Sequence, residues 1–131
     1  MSFVWQAAIL ILSLFVPFRF HTPFFFIGLI LFALSLVGFL AAFISYWQTP
    51  LDKTVQGGVY KLSRNPMYFF FSVGMLATCI ACASLWLLIV TALLIYETHH
   101  VILGEERYCA ATYGEEYLSY KSRTPRYFLF F

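Results

Sequence analysis

Charged residues are scarce in this sequence. Asp, Glu, Lys and Arg make up 11% of its 131 residues, whereas soluble domains carry about 25%. Apolar residues make up 62%. A soluble globular protein is therefore excluded. We expect an integral membrane protein, organised as one domain over residues 1–131, with about four spans of roughly 20 residues each.

Features that would indicate a nucleic-acid partner, a metal site or a common catalytic motif are also missing. The net charge of +2 is too small, and the basic residues are too dispersed, to indicate a nucleic-acid partner. Cys79 and Cys82 lie in an apolar segment, where C-x-x-C spacing favours packing over zinc or redox chemistry. His99 and His100 are adjacent, so they point about 100° apart on a helix, which is poor geometry for sharing a metal. The sequence contains no phosphate-binding loop, no G-x-G-x-x-G, no Ser-His-Asp candidate and no zinc-ligand set, and we expect no metal.

Apolar runs predict four spans. They cover about 2–18, 24–47 and 66–83, and a fourth begins near Leu85. The first lacks a basic start and a clear cleavage site, so it is interpreted as a retained span rather than a signal peptide. Ser84 is a predicted N-cap, which makes the last two spans a tight antiparallel hairpin. No helix breaker follows Tyr96 until Gly114, so we expect the fourth helix to continue out of the bilayer, before a short helix at about 115–121.

The basic residues predict the orientation. Seven of the eight would lie on one side of a four-span arrangement, and only Arg19 on the other. The seven are Lys53, Lys61, Arg64, Arg107, Lys121, Arg123 and Arg126. The positive-inside rule then places both termini, the central loop and the C-terminal tail in the cytoplasm. We predict a protein of the bacterial inner membrane whose site faces the cytoplasm.

The polar loop at residues 57–68 is the first candidate site. Gly57 and Gly58 allow a ligand to approach the backbone closely. Arg64 offers a planar fork for a carboxylate, and Pro66 begins a helix whose first turn presents backbone N–H groups to an anion. The plainer interpretations are that Gly57 and Gly58 form only a turn and that Arg64 only anchors the loop at the membrane face.

The segment at residues 97–126 is the second candidate site. Glu105 and Glu106 lie near a membrane face, where a carboxylate is unfavourable unless a cation accompanies it. The candidates for that cation are Arg64, Arg107, Arg123 and a cationic ligand. The plainer interpretation is a solvated helix face.

Taken together, the two segments carry an ordered motif set. The loop contains Gly57-Gly58-Val59-Tyr60 and Ser63-Arg64-Asn65-Pro66-Met67-Tyr68. The later segment contains Glu105-Glu106, Tyr113-Gly114, Tyr117, Tyr120 and Arg123-Thr124-Pro125-Arg126. Over about residues 49–126 this set resembles the isoprenylcysteine carboxyl methyltransferase and phospholipid methyltransferase superfamily. Three positions depart from the pattern: Asn65 stands for the histidine of many isoprenylcysteine enzymes, Tyr113 for Phe and Thr124 for Val.

The resemblance implies an integral-membrane methyltransferase without a Rossmann domain. It would use S-adenosylmethionine, release S-adenosylhomocysteine, and methylate a lipid-like or isoprenylcysteine-like acceptor taken from the membrane. The residues that the resemblance assigns to the cofactor are Gly57, Gly58, Val59, Tyr60, Arg64, Asn65, Pro66, Tyr68, Glu105 and Glu106. Arg64 and Glu106 are also predicted to be catalytic, and Tyr120 and Arg123 to contact the substrate.

The charges of S-adenosylmethionine agree with this assignment. Its carboxylate is expected at the start of the third span and at Arg64, and its amino group at Glu105 or Glu106. Two other functions stay open. One is a membrane reductase of the sterol-reductase type that uses NADPH, although the loop is short of cations for a 2′-phosphate. The other is a non-catalytic membrane adaptor or lipid-binding protein.

Overall fold

Three helices form the part of the chain that the computed structural model describes, namely residues 11, 15, 21–50 and 52–128. They are α1 (Pro23–Trp47), α2 (Pro66–Cys82) and α3 (Leu85–Arg123), and a short 3-10 turn, Gly58–Lys61, lies between α1 and α2. Every regular element among these residues is helical, which confirms the all-α prediction. The predicted first span and Arg19 lie outside the described residues.

The helices begin and end where local chemistry favours it. A proline occupies the first turn of both α1 and α2, where its fixed φ suits a helix and its missing N–H is not needed. α2 ends at Ala83, whose left-handed φ of 47° turns the chain back. The Ser84 hydroxyl then accepts a hydrogen bond from the Leu87 N–H at 3.4 Å. The predicted N-cap and the predicted starts of these three helices are therefore confirmed to within one residue.

The third helix is 39 residues long and continues well past its apolar part, as the sequence predicts. Its regular backbone is interrupted only at Gly114, where φ is 53° and ψ is −129°. Any residue with a side chain would be strained at this left-handed φ. The predicted short final helix follows directly and ends at Arg123.

Two of the helices, α1 and α3, are long and apolar enough to cross a membrane. The apolar stretch of α3 lies in its N-terminal half. Helix α2 is apolar but has 17 residues, at the lower limit for a span. Large apolar side chains remain exposed along α1 and the first half of α3, including Phe26, Ile30, Leu34, Val37, Leu85, Trp86 and Leu93. The described residues thus support two of the four predicted spans.

Helices α1 and α2 pack closely because small residues line their interface. A Cβ built at Gly28 would lie 2.6 Å from the carbonyl oxygen of Ala77. At the other end of the interface, a Cβ at Gly38 would overlap the ring of Phe70. Residues early in α1 therefore face residues late in α2, so the pair is antiparallel. This packing follows the small-residue rule for helices in lipid.

Helices α2 and α3 contact each other near their connecting turn. Cys79, Cys82 and Leu87 form a buried cluster, and Cys79 Sγ lies 3.2 Å from Thr91 Oγ1. The two cysteines therefore fill space in the hairpin, in agreement with the predicted packing role.

The segment after α3, residues 124–128, folds back onto the loop that precedes α2. The Arg64 N–H donates to the carbonyl oxygen of Pro125 at 2.9 Å, and the Ser63 hydroxyl donates to that of Arg126 at 2.9 Å. We call residues 124–128 the return segment. It brings the two candidate polar segments together.

The interface between α1 and α2 generates the first prediction. Gly28→Ala places a methyl group against the α2 backbone, so we expect a loss of about 1–3 kcal/mol in the free energy of unfolding. Thermal unfolding of purified protein in detergent measures it.

Gly104→Ala is the matched control, because a Cβ at this helical glycine meets nothing within 4 Å. This variant should be unchanged or more stable by up to about 1 kcal/mol. Equal stability of the two variants would contradict the tight α1–α2 interface.

Candidate functional site

The loop before α2 takes its shape from glycine and from contacts with α1 and α3. Gly58 has a φ of +56°, and a Cβ there would clash with the Ser45 hydroxyl on α1. The Tyr120 hydroxyl of α3 donates to the carbonyl oxygen of Tyr60 at 2.7 Å. Burial raises the pKa of Tyr60 above its ordinary value, so its phenol stays neutral. The loop is thus held between the end of α1 and the end of α3.

A buried carboxylate connects this loop to α3 and the return segment. Glu106 is 4% exposed, and Arg126 donates to both of its oxygens, from Nε and from Nη2, at 3.0 Å each. The Asn65 amide donates to Glu106 Oε1 at 3.2 Å. Arg64 Nη2 lies 3.7 Å from Oε1, and Lys121 Nζ lies 3.8 Å from Oε2. We call these five residues the Glu106 cluster.

The Glu106 cluster keeps its central group ionised. Burial alone would raise the pKa of Glu106, but the hydrogen bond from Arg126 and the charges of Arg64 and Arg126 together hold that pKa below its ordinary value. Removing a partner from a buried ion pair leaves an uncompensated charge. The cluster therefore joins three segments of the sequence by a contact that is unfavourable to break.

Arg64 has hydrogen-bonding capacity that the described residues do not use. Its side chain is 3% exposed, yet its Nε and Nη1 have no hydrogen-bond partner among those residues. Buried donors are normally paired, because an unpaired one costs about 1–3 kcal/mol. Nε and Nη1 of this buried guanidinium are therefore candidate contacts for an anionic ligand.

Glu105, adjacent to Glu106, is exposed and makes a different contact. Its Oε1 accepts a hydrogen bond from the Tyr68 hydroxyl of α2 at 2.6 Å. Consecutive residues of a helix point about 100° apart. One carboxylate consequently enters the buried cluster, while the other lies at the edge of the adjacent space.

That space is a cavity of about 400 Å³, which we call the polar cavity. Its volume lies within the range of about 300–1,000 Å³ that is usual for small-molecule sites. The lining residues are Tyr46, Lys53, Thr54, Val55, Tyr60, Arg64, Asn65, Met67, Tyr68, Glu105, Glu106, Tyr108, Cys109, Tyr113, Tyr117 and Tyr120. Seven of these 16 residues are tyrosines, so the walls offer many aromatic faces beside a few charges of both signs.

A loop closes one side of the polar cavity. The Thr54 N–H and the Gln56 side-chain amide both donate to Glu116 Oε1, at 3.3 and 3.2 Å. The Thr54 hydroxyl oxygen is itself buried and without a partner among the described residues. Thr54 therefore adds a second unused polar group to the cavity wall. Among the described residues, no group of three or more His, Cys, Asp or Glu side chains could hold a metal ion.

The structure brings together most of the side chains that the sequence singled out. Those that line the polar cavity are Tyr60, Arg64, Asn65, Tyr68, Glu105, Glu106 and Tyr120. Those that do not are Gly57, Gly58, Val59, Pro66 and Arg123. Arg123 is exposed, and its Nε donates to the carbonyl oxygen of Ser119 at 3.1 Å. The individual roles of all these residues stay predictions.

The cations beside Glu106 only partly match the expectation. Arg64 is present as predicted, but the other two cations are Lys121 and Arg126, and neither Arg107 nor Arg123 belongs to the cluster. Arg107 follows Glu106 directly on the helix and so points away from it. Arg126 reaches the carboxylate because the return segment reverses direction after Thr124.

Several lining residues were missed by the sequence analysis. Cys109, Tyr113 and Tyr117 had no predicted site role. Together with Glu106 and Tyr120, which did, they recur at intervals of three and four residues, as expected for one helix face. That spacing was a usable signal. No sequence pattern indicates Tyr46 and Thr54, because they reach the cavity through the fold of α1 and the following loop.

Comparison with known proteins identifies the family of this chain. The model of the phospholipid methyltransferase family matches residues 25–116, more than two thirds of the chain. The chain belongs to the phospholipid methyltransferase family. This confirms the superfamily resemblance and makes the chain, in general terms, a membrane methyltransferase. Neither a curated protein nor a solved structure matches it. The matched range includes Arg64, Glu105 and Glu106, whereas Lys121 and Arg126 lie beyond it.

The Glu106 cluster generates the second prediction. Glu106→Gln keeps the size of the side chain but leaves Arg64 and Arg126 without a buried counter-charge. We expect a loss of about 3–5 kcal/mol in the free energy of unfolding, measured by thermal or denaturant unfolding in detergent.

Glu105→Gln is the matched control, because it changes the neighbouring residue in the same way at an exposed position. It should cost about 1 kcal/mol, the value of one hydrogen bond. If both variants lost the same stability, Glu106 would not hold the segments together.

Proposed function

We propose that this chain transfers the methyl group of S-adenosylmethionine to a lipid-like or isoprenylcysteine-like acceptor. The single observation that carries the proposal is Arg64: a buried guanidinium with two unused donors, in the wall of a cavity that also contains an exposed carboxylate. A site with both signs of charge suits a ligand that carries a carboxylate and an ammonium group. Membership of the phospholipid methyltransferase family supports the same chemistry.

The cavity residues fit the cofactor group by group. Arg64 Nε and Nη1 would hold the carboxylate, since these donors have no other partner among the described residues. Glu105 is better suited than Glu106 to the amino group, because Glu106 already contacts Arg64, Asn65, Lys121 and Arg126. On this basis Glu106 is a positioning residue that acts through Arg64.

The tyrosines account for the rest of the ligand. Their faces can stack on the adenine, and the face of an aromatic ring attracts a cation such as a sulfonium. Burial keeps the phenol of Tyr60 neutral, so the cavity wall adds no negative charge there. The Thr54 hydroxyl is available to a polar group of the nucleoside.

The contribution of the protein to the reaction is mainly alignment and exclusion of water. When bound, the cofactor supplies an electrophilic methyl carbon, to which the acceptor's electron pair bonds as the carbon–sulfur bond breaks and leaves its electrons on sulfur. Holding two reactants in line provides a large part of such an acceleration. The aromatic walls of the cavity, with the loop fixed by the Glu116 contacts on one side, would reduce the access of water to the acceptor nucleophile.

The sidedness follows from the distribution of charge. The polar cavity is lined mainly by the loop before α2 and by α3 from Glu105 onward, and these two segments together with the return segment carry seven basic residues. By the positive-inside rule this end of the protein faces the cytoplasm. The water-soluble cofactor would therefore enter from the cytoplasm, and the acceptor from the membrane.

The third prediction is the activity itself. Purified protein incubated with methyl-labelled S-adenosylmethionine and a host lipid extract should transfer label to a lipid-extractable product, which mass spectrometry then identifies. Cofactor binding without any labelled product would indicate the adaptor alternative. Oxidation of NADPH in the presence of a sterol-like enone would indicate the reductase. Either outcome overturns the proposal.

The fourth prediction concerns Arg64. Loss of hydrogen bonds to a charged group costs about 1.5–3 kcal/mol, so Arg64→Gln should weaken the binding of S-adenosylhomocysteine by roughly 10- to 150-fold. Isothermal titration calorimetry in detergent measures the dissociation constant.

5′-Methylthioadenosine is the matched control ligand, because it keeps the nucleoside but lacks the amino-acid part. Its affinity should hardly change in Arg64→Gln. Equal weakening of both ligands would mean that Arg64 shapes the cavity and does not bind the carboxylate.

A further inference from the structure

The charges of this protein are unevenly distributed along the chain. Two short segments, residues 58–65 and 119–126, carry five of the eight basic residues and none of the six acidic ones. The whole chain has a net charge of only +2. We call these two segments the basic patch, and its cations are Lys61, Arg64, Lys121, Arg123 and Arg126.

Hydrogen bonds hold the two segments of the basic patch together. The Tyr120 hydroxyl donates to the carbonyl oxygen of Tyr60 at 2.7 Å. The Ser63 hydroxyl donates to the carbonyl oxygen of Arg126 at 2.9 Å. Residues that are about 60 positions apart in the sequence therefore form one region of the surface, and their positive charges are brought together there.

One carboxylate balances part of this charge. Lys121 Nζ and Arg126 Nη2 lie 3.8 and 3.0 Å from Glu106 Oε2. Lys61 and Arg123 are exposed, and neither forms an ion pair with a carboxylate among the described residues. Five cations beside one carboxylate leave an excess of positive charge at this end of the protein. Such an excess attracts anions.

The basic patch lies where a membrane-crossing helix ends. Helix α1 is long and apolar enough to span a bilayer, and it ends at Trp47. A Cβ at Gly58 would clash with the Ser45 hydroxyl in the last turn of α1. The first segment of the patch therefore touches the end of α1, and the apolar helix α2 begins at Pro66, directly after it. This position corresponds to the depth of the lipid headgroups in a membrane that α1 crosses.

An apolar side chain lies among the cations of the patch. Leu62 is 60% exposed, although the residues that follow it, Ser63 and Arg64, are buried. An exposed apolar group beside basic residues is typical of protein surfaces that bind the membrane interface, where the cations meet the headgroups and the apolar group enters the acyl layer. A soluble anion would leave Leu62 in water. The exposed leucine therefore favours a lipid over a free anion.

We propose that the basic patch binds the phosphate headgroups of anionic membrane lipids, with Leu62 inserted among their acyl chains. Binding neutralises the excess charge and so stabilises the docked return segment, which is part of the patch. The inference goes beyond the proposed function. It concerns the exposed cations Lys61 and Arg123, which do not line the polar cavity.

The fifth prediction tests lipid selectivity. Purified full-length chain is titrated with phosphatidylglycerol, and separately with phosphatidylcholine of the same acyl chains, and bound lipid is counted by native mass spectrometry at low ionic strength. The wild type should bind phosphatidylglycerol more tightly. Lys61→Gln combined with Arg123→Gln removes two exposed cations and should weaken phosphatidylglycerol binding by roughly 10- to 30-fold. It should hardly change phosphatidylcholine binding.

Lys53→Gln combined with Arg107→Gln is the matched control, because it removes the same charge from exposed positions outside the patch. This variant should keep the lipid preference of the wild type. Equal weakening in the two double variants would mean that net charge, and not the patch, attracts the lipid. Leu62→Ser should weaken the binding of both lipids. Thermal unfolding of each variant shows that it is folded.

Inorganic phosphate distinguishes a lipid from a free anion. Added at the same concentration as phosphatidylglycerol, it should not displace the lipid from the wild type. Displacement would assign the patch to a soluble anion and overturn the lipid proposal. Equal affinity of the wild type for the two lipids would also overturn it. Methyl transfer is not part of these measurements, so the proposed function is tested separately by the labelled cofactor.

Discussion

The buried carboxylate of Glu106 is the contact on which the rest of this structure depends. Moving a charge out of water is unfavourable by several kcal/mol unless partners surround it. Here the partners come from the loop before α2, from the end of α3 and from the return segment. The three segments cannot separate without exposing or isolating that charge. In a protein whose helices present mostly apolar surface, this polar contact defines where the site is.

The way the cluster divides its hydrogen bonds has a chemical result. Arg126 takes both oxygens of Glu106, and Asn65 donates to one of them as well. Arg64 Nη2 lies 3.7 Å from Glu106 Oε1, close enough for the carboxylate to stabilise the guanidinium. Arg64 Nε and Nη1 have no hydrogen-bond partner among the described residues. The carboxylate thus stabilises a buried cation whose own hydrogen-bonding capacity is only partly used. Glu105 lies at the edge of the same space, where its Oε1 accepts a hydrogen bond from Tyr68.

The sequence predicted the helices well because their signals are local. Apolar runs, prolines at helix starts, the Ser84 cap and the glycine at position 114 each act within a few residues. The meeting of Arg64 and Glu106 was also predictable, since the antiparallel hairpin returns the chain to the same rim. The identity of the main cation beside Glu106 was not predictable, because Arg126 reaches Glu106 only after the chain reverses beyond Thr124. That reversal depends on hydrogen bonds donated by the Ser63 hydroxyl and the Arg64 N–H, which no local pattern encodes.

The position of the return segment also has a consequence for biosynthesis. Proteins are made from the N-terminus, so α1, α2 and α3 emerge from the ribosome before Pro125 and Arg126 do. Until then Glu106 lacks its main partner, and the cavity that α2 and α3 line lacks the wall formed by Tyr127. The Glu106 cluster and this wall can therefore form only after residues 125–127 have been synthesised.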